Sequence, residues 1–301
     1  MVTLRWFSWS AKVRLVLVTA AVGLSGCAST FRNNVDDMVE PSNNRDWRPD
    51  MAMLPYAKIR GDKATIHNIR HCTYIDEHTF VVDHYDKTFD LKDIESVDFI
   101  LVPFKDTPSL AHTMLSFGFR DGQYLGASVE VRLEKGESYS PVAGSMRQFE
   151  LMYVIADERD IIQLRTEHRK ADVYIYRTRA TPKQSRDLFL DVAKRINELK
   201  RTPEFYDTFT NNCTTSVVSH FNRVMPGQIP FWDPASILTG YSDRAAYALG
   251  FLVDYGSFEE TKRRAIINDL AHRHADNPQF SQLIRGELPS TRMAEVANET
   301  R

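Results

Sequence analysis

Cysteine is scarce in this chain, three among 301 residues, and net charge is nearly absent, with 38 Lys and Arg against 40 Asp and Glu. Three cysteines cannot build a disulfide framework. A balance of -2 at pH 7 lacks the basic excess that marks a dedicated nucleic-acid binder, so no nucleic-acid partner is expected. Internal repeats and low-complexity tracts are missing too, which excludes solenoids and largely disordered chains. Beyond the first thirty residues no uncharged apolar run reaches membrane-spanning length. What is present is ordinary: 43% hydrophobic, 11% aromatic and 26% charged residues, in a length suited to one large domain or a domain with an appendage.

The amino end differs in kind. Arg5, Lys12 and Arg14 precede an apolar run from Leu15 that closes on Leu24-Ser25-Gly26-Cys27. That order is a secretory signal peptide, with an apolar core too short to span a bilayer comfortably. Its ending resembles the bacterial lipobox, in which Cys27 is diacylated and becomes the first residue after cleavage; a one-pass anchor would leave the small pair before Cys27 unexplained. The expected organisation is a signal peptide over 1–26, a tether over 27–46, a catalytic body over 47–225 and a helical appendage over 226–301. The body would be tethered by lipid to the bacterial membrane and face the periplasm, and Ala28 after the cysteine points to the outer membrane. Cys72 and Cys213 then either pair or stay free, and a free thiol in an oxidising compartment needs a reason such as catalysis.

Along the body, 58–59, 64–66, 79–82, 97–102 and 172–176 read as strands and 110–133 as a hairpin. Leu188, Phe189, Val192, Ile196 and Leu199 recur at helical spacing behind Pro182. A second helix is expected after Cys213, carrying Val217, Val218 and Phe221 inward. The hairpin allows two registers: a two-residue Asp121-Gly122 turn pairs His112 with Val131, and a three-residue loop with Gly122 left-handed pairs it with Glu130. Hydrophobic pattern selects the second. It puts Thr113, Leu115, Phe117 and Phe119 on one face with Leu125, Ala127, Val129 and Val131, leaving His112, Ser116, Ser128 and Glu130 on the other. An imidazole across from a carboxylate follows, with Ser128 the next candidate to orient the ring. A satisfied strand histidine, or a Glu130 that bridges to Arg132, is the plainer alternative.

Asn211-Asn212 precede Cys213 and a helical pattern, so Asn212 reads as a cap and Cys213 as a helix start. There the unpaired amides and the macrodipole favour thiolate and can stabilise an oxyanion. A cysteine at a helix start, a histidine on a strand and a carboxylate behind it are the parts of a papain-like site. A buried Cys213 would instead point to an inert shell.

These residues resemble the Lnb N-terminal periplasmic domain family, named after a lipoprotein intramolecular transacylase. The carrying residues are Trp47, Pro55-Tyr56-Ala57, Asn68-Ile69-Arg70, Tyr74, Ala111-His112-Thr113, Ser116-Phe117-Gly118-Phe119, Ser128-Val129-Glu130-Val131-Arg132, Tyr153, Asp157-Glu158-Arg159-Asp160 and Asn211-Asn212-Cys213-Thr214-Thr215. Asp207 departs from the pattern, which usually has Asn after the Tyr. The resemblance implies an α+β fold similar to circularly permuted NlpC/P60, papain-like enzymes, here an antiparallel sheet packed on the Cys-bearing helix. It implies Cys213 as nucleophile and His112 as base, with Glu130 as orienter resting on the register. Catalysis would need no cofactor and would act on an acyl-lipid, a lipoprotein or a peptidoglycan peptide; a non-enzymatic assembly lipoprotein is the other class.

Other candidates are secondary. His67, His71, Cys72, His78 and His84 crowd together, but their spacing matches no standard zinc pair, so no metal is expected. Asp157-Glu158-Arg159-Asp160 reads as ion pairs supporting the site, a direct substrate role for Arg159 being the alternative. Phe231, Trp232 and Tyr241 read as core packing or a pocket cover.

Overall fold

The computed structural model describes residues 40–225, 229 and 238–286. The chain divides into a unit Met1–Ser42 and a unit Asn43–Arg301. The expected signal peptide, Cys27, Phe231 and Trp232 lie outside the described residues. The body is ordered from Asn43, four residues ahead of the expected Trp47: Asn43 Nδ2 donates to Lys200 O at 3.0 Å and Arg45 pairs with Glu150 at 2.6 Å. Among the described residues no helix is long and apolar enough to cross a membrane.

The fold is α+β. Strands β1 (Tyr56–Arg60), β2 (Lys63–Arg70), β5 (His84–Asp90), β6 (Ile94–Phe104), β7 (Thr107–Phe119), β8 (Tyr124–Arg132), β9 (Glu150–Asp157) and β10 (Tyr174–Arg177) form one sheet. A small second sheet pairs β3 (Thr73–Tyr74) with β4 (Phe80–Val81). Order in the main sheet is β1-β2-β9-β8-β7-β6-β10, with β5 also on β2. The expectation of an antiparallel sheet needs correction. β6 to β9 run as an antiparallel meander, but β9 meets β2 in parallel at Arg70↔Ala156. No tight hairpin links β2 to β9, so nothing forces them to run in opposite directions.

Three strands escaped the sequence reading, β3, β5 and β9. In β9 the run Glu150 to Ala156 is buried on both faces, so a central strand shows no alternation to read. Of the expected 79–82 strand only Phe80–Val81 forms.

Helix α1 (Pro141–Ser145) lies between β8 and β9 and α2 (Glu158–Gln163) between β9 and β10, while α3 (Pro182–Arg201) and α4 (Cys213–Val224) follow β10. A capping box between Thr181 and Gln184 starts α3, with Pro182 in its first turn. Its buried stripe Leu188, Phe189, Val192, Ala193, Ile196 and Leu199 lies on one sheet face, where Phe189 meets Phe117 edge-on at 5.3 Å. The opposite face is covered by α2. Gly126 allows this close approach, since a Cβ there would fall 2.2 Å from Ile161 Cδ1.

After residue 238 come α5 (Ser242–Ala248), α6 (Phe258–Ala265), α7 (Asn268–Arg273) and α8 (Phe280–Leu283). They are fastened to the body by Arg285, which reaches Asp98 at 2.7 Å and Glu158 at 2.6 Å and lies over the Tyr124 ring at 3.6 Å.

Candidate active site

The site is built on the β7–β8 hairpin. Phe119 N donates to Gln123 O, Gly122 N donates to Phe119 O, and Gly122 has φ +80°. This is the three-residue loop with its left-handed glycine. Pairs from Gly118↔Tyr124 to Met114↔Ser128 follow, and the same register carried on sets His112 opposite Glu130. The two faces sort as side-chain alternation demands. Phe117 and Thr113 turn to α3 and α4, the latter through a 3.2 Å contact between Thr113 and Thr214 hydroxyls. Ser116 and Glu130 turn to the other layer, where Ser116 donates to Glu158 at 2.5 Å and Glu130 receives Arg165.

His112 Nε2 lies 2.7 Å from Ser128 Oγ and 3.3 Å from Glu130 Oε1. Ser128 Oγ donates to that same carboxylate oxygen at 2.6 Å, and Arg165 Nη2 donates to it at 2.8 Å. Ser128 is therefore the nearer partner of the ring, and Glu130 stands behind it.

Cys213 opens α4. Asn212 caps the helix, accepting from Thr215 N at 2.9 Å, while Thr215 Oγ1 accepts from Asn212 N at 2.8 Å. Ser216 N goes to Asn212 O. The amides of Cys213 and Thr214 precede the first intrahelical bond and are not used by the cap. The thiol lies 4.0 Å from Ala111 O and interacts with the His112 ring by hydrogen bond and charge. With Nε2 turned to Ser128, Nδ1 is the ring nitrogen left for sulfur.

Burial alone would push this thiol up. The hydrogen bond and charge of His112, with the Thr113 backbone, overrule it and bring Cys213 down to about 7. Burial likewise disfavours imidazolium, yet Glu130 and the thiol raise His112 to about 9. Glu130 is held well below the carboxylate range by the charges of His112 and Arg165, against its own burial. A thiolate–imidazolium pair near neutral pH is the result. Cys72 is the contrast: burial, then the Asp160 charge, push it up to about 11. Both thiols are free, and each is 6% exposed.

The remaining expected residues are placed elsewhere. Arg132 lies over the Trp47 ring at 4.1 Å and donates to Met51 O and Ala52 O; the partner of Glu130 is Arg165, not Arg132. Arg159 donates to Asn277 O and lies over Phe280, away from His112. Its neighbours bind Arg285 through Glu158 and Arg70 through Asp160. Asp207 accepts from the amides of Phe209 and Thr210, ordering the turn before Cys213. The crowded histidines separate, His67 onto Asp86 and His71 toward Asp157, and among the described residues no group of three potential ligands could hold a metal ion.

Two residues were missed. Arg165 sits in a wide helical turn, Leu164–His168, whose only sequence hint is a cation directly after Ile161-Ile162-Gln163-Leu164. Thr239, remote in sequence, accepts from Ala111 N at 2.7 Å and donates to Ala111 O at 2.9 Å, strapping the strand beside His112.

The sequence model of the Lnb N-terminal periplasmic domain family matches residues 82–240, more than half of the chain, and that span contains His112, Glu130, Arg165 and Cys213. No curated protein and no solved structure matches. The chain therefore belongs to the Lnb N-terminal periplasmic domain family, whose setting is the cell envelope.

Proposed function

We propose that this protein is a lipid-anchored periplasmic cysteine hydrolase or transacylase that works through a thioester on Cys213. The observation that carries this reading is a buried thiol held down at about 7 by an imidazole that is itself backed by Ser128 and Glu130. In an apolar environment a thiol with no catalytic use goes the other way, as Cys72 does.

The thiolate attacks an ester or amide carbonyl, and the amides of Cys213 and Thr214 face the developing oxyanion at the helix start. His112 delivers its proton to the leaving alcohol or amine. Water or an incoming amine, deprotonated by His112, then resolves the thioester. The order His112, Glu130, Cys213 supports a permuted papain-like arrangement, and Leu24-Ser25-Gly26-Cys27 supports an anchor that holds the site near the membrane, with outer-membrane sorting suggested by Ala28. A cell-wall peptidase or amidase would use the same machinery on a different carbonyl.

Burial of Cys213, only 6% exposed, favours a second reading, a binding shell that does no chemistry. Mass spectrometry of the full-length protein after incubation with envelope lipids, and separately with peptidoglycan peptides, distinguishes them. An acyl or peptidyl adduct on Cys213 that is absent from Cys213→Ala and forms far more slowly in His112→Ala, where the thiolate and the leaving-group proton are both lost, supports the enzyme. Absence of any adduct or turnover with both fractions supports the shell.

A further inference from the structure

We propose that Arg165 is a positioning residue for His112, acting through Glu130 and Ser128. The inference deepens the cysteine-enzyme reading and rests on His112 and Cys213 being its base and nucleophile.

The geometry is a convergence on one atom. Glu130 Oε1 accepts from Arg165 at 2.8 Å and from Ser128 Oγ at 2.6 Å, and His112 Nε2 lies 3.3 Å from it. A carboxylate only 18% exposed would tend to keep its proton, and the guanidinium opposes that. As an anion Glu130 can only accept, so the Ser128 hydroxyl must donate to it. The Ser128 oxygen then has its lone pairs free for Nε2–H of the imidazole. Were Glu130 protonated, the hydroxyl could reverse and confront Nε2–H with another donor. Arg165 thus fixes the direction of the whole hydrogen-bond chain without touching the ring.

Arg165 is built to stay in place. It is 2% exposed, and its Nη1 donates to Ile161 O at 2.9 Å, one turn back on its own helix. The turn that carries it is widened, with Arg169 N bonded to Leu164 O at 3.0 Å, five residues apart, a local distortion that recurs at functional sites. Other charged or titratable groups also face the network. Cys213 approaches from α4, Glu130 from β8 and Tyr206 lies beside the thiol, while Arg169 at the end of the same helical turn and Arg70 on β2 add like charge around Arg165. The strap from the carboxyl-terminal part brings the uncharged Thr239.

The test is the ultraviolet thiolate absorbance of the full-length protein against pH, each protein read against its own Cys213→Ser counterpart, which needs no reagent to enter the site. The wild-type midpoint is expected at about 7. Arg165→Met should raise it by about 1–3 pH units, the size of losing a close opposite charge behind the pair, and Arg165→Lys should restore most of the shift. Arg285→Met removes another ion-paired cation, its side chain 6% exposed, whose carboxylates do not reach His112; it should lower the melting temperature and leave the midpoint alone. If Arg165→Met does not fold, Glu130→Gln and Glu130→Gln/Arg165→Met are compared, with equal upward shifts expected.

A folded Arg165→Met with the wild-type midpoint, or a shift in Arg285→Met as large as in Arg165→Met, overturns the proposal. So does a wild-type midpoint in Glu130→Gln, or a double variant whose midpoint lies apart from that of Glu130→Gln. Failure of the cysteine-enzyme reading has a different signature: a midpoint that moves with Arg165 in a protein that forms no adduct with any substrate fraction.

Discussion

The two described cysteines form an internal experiment, because both are 6% exposed and yet Cys213 is brought down to about 7 while Cys72 is pushed up to about 11. At pH 7 about half of Cys213 is thiolate against roughly 1 part in 10⁴ of Cys72, a ratio of ~5,000 from two values four units apart. The more acidic thiolate is the weaker nucleophile, and a Brønsted slope of about 0.4–0.5 over ~4 units takes back roughly 40–100-fold. The net expectation is that a small disulfide reagent modifies Cys213 about 50–125 times faster than Cys72 at pH 7. Rates are read by quench and peptide mass spectrometry. Because the Cys213 value is lowered, its reactive form is present above about 7 and is lost as pH falls, about tenfold per unit below that point. Cys72 should keep gaining reactivity up to about 11. His112→Ala removes both the hydrogen bond and the charge that oppose burial, so the ratio should collapse toward one. A wild-type ratio below about 3, or a ratio unchanged in His112→Ala, would refute the electrostatic argument from Nδ1 and the helix start.

Three further outcomes are expected. Gly122→Ala should cost about 1–2 kcal/mol from the left-handed φ of +80°, on top of moving the Gln282 side chain that a Cβ would run into; Gly122→Asn shares that second cost and should lose less from the first, and equal melting temperatures for glycine and alanine would remove the conformational basis of the register. Arg285→Met leaves Asp98 and Glu158 buried without their cation and should destabilise by about 3–5 kcal/mol in denaturant unfolding; a loss under about 1 kcal/mol would mean that Arg285 does not clamp the carboxyl-terminal helices. Cys27→Ser should abolish fatty-acid labelling in cells, and unchanged labelling would remove the anchor.

Local rules determine much of this protein. Alternation along 110–133 chose the three-residue loop, because the other register would have mixed phenylalanines with Ser128, Glu130 and Arg132 on one face. Helical spacing behind Pro182 located α3, and the Asn212 cap put Cys213 at the first position of α4. Each depends on residues within one hairpin or one helix, so a one-dimensional pattern carries it. The tertiary structure alone decided the rest. β9 is buried on both faces, so its pattern has no period, and its parallel meeting with β2 depends on the path of the chain over some eighty intervening positions. Arg165 and Thr239 reach the site from 35 and 128 residues away along the chain. The acidity of Cys213 is likewise set by folding: a helix start lowers a thiol and burial raises it, and the sign falls to the imidazole that β7 brings to the sulfur, with Ser128, Glu130 and Arg165 assembled behind it from two other elements.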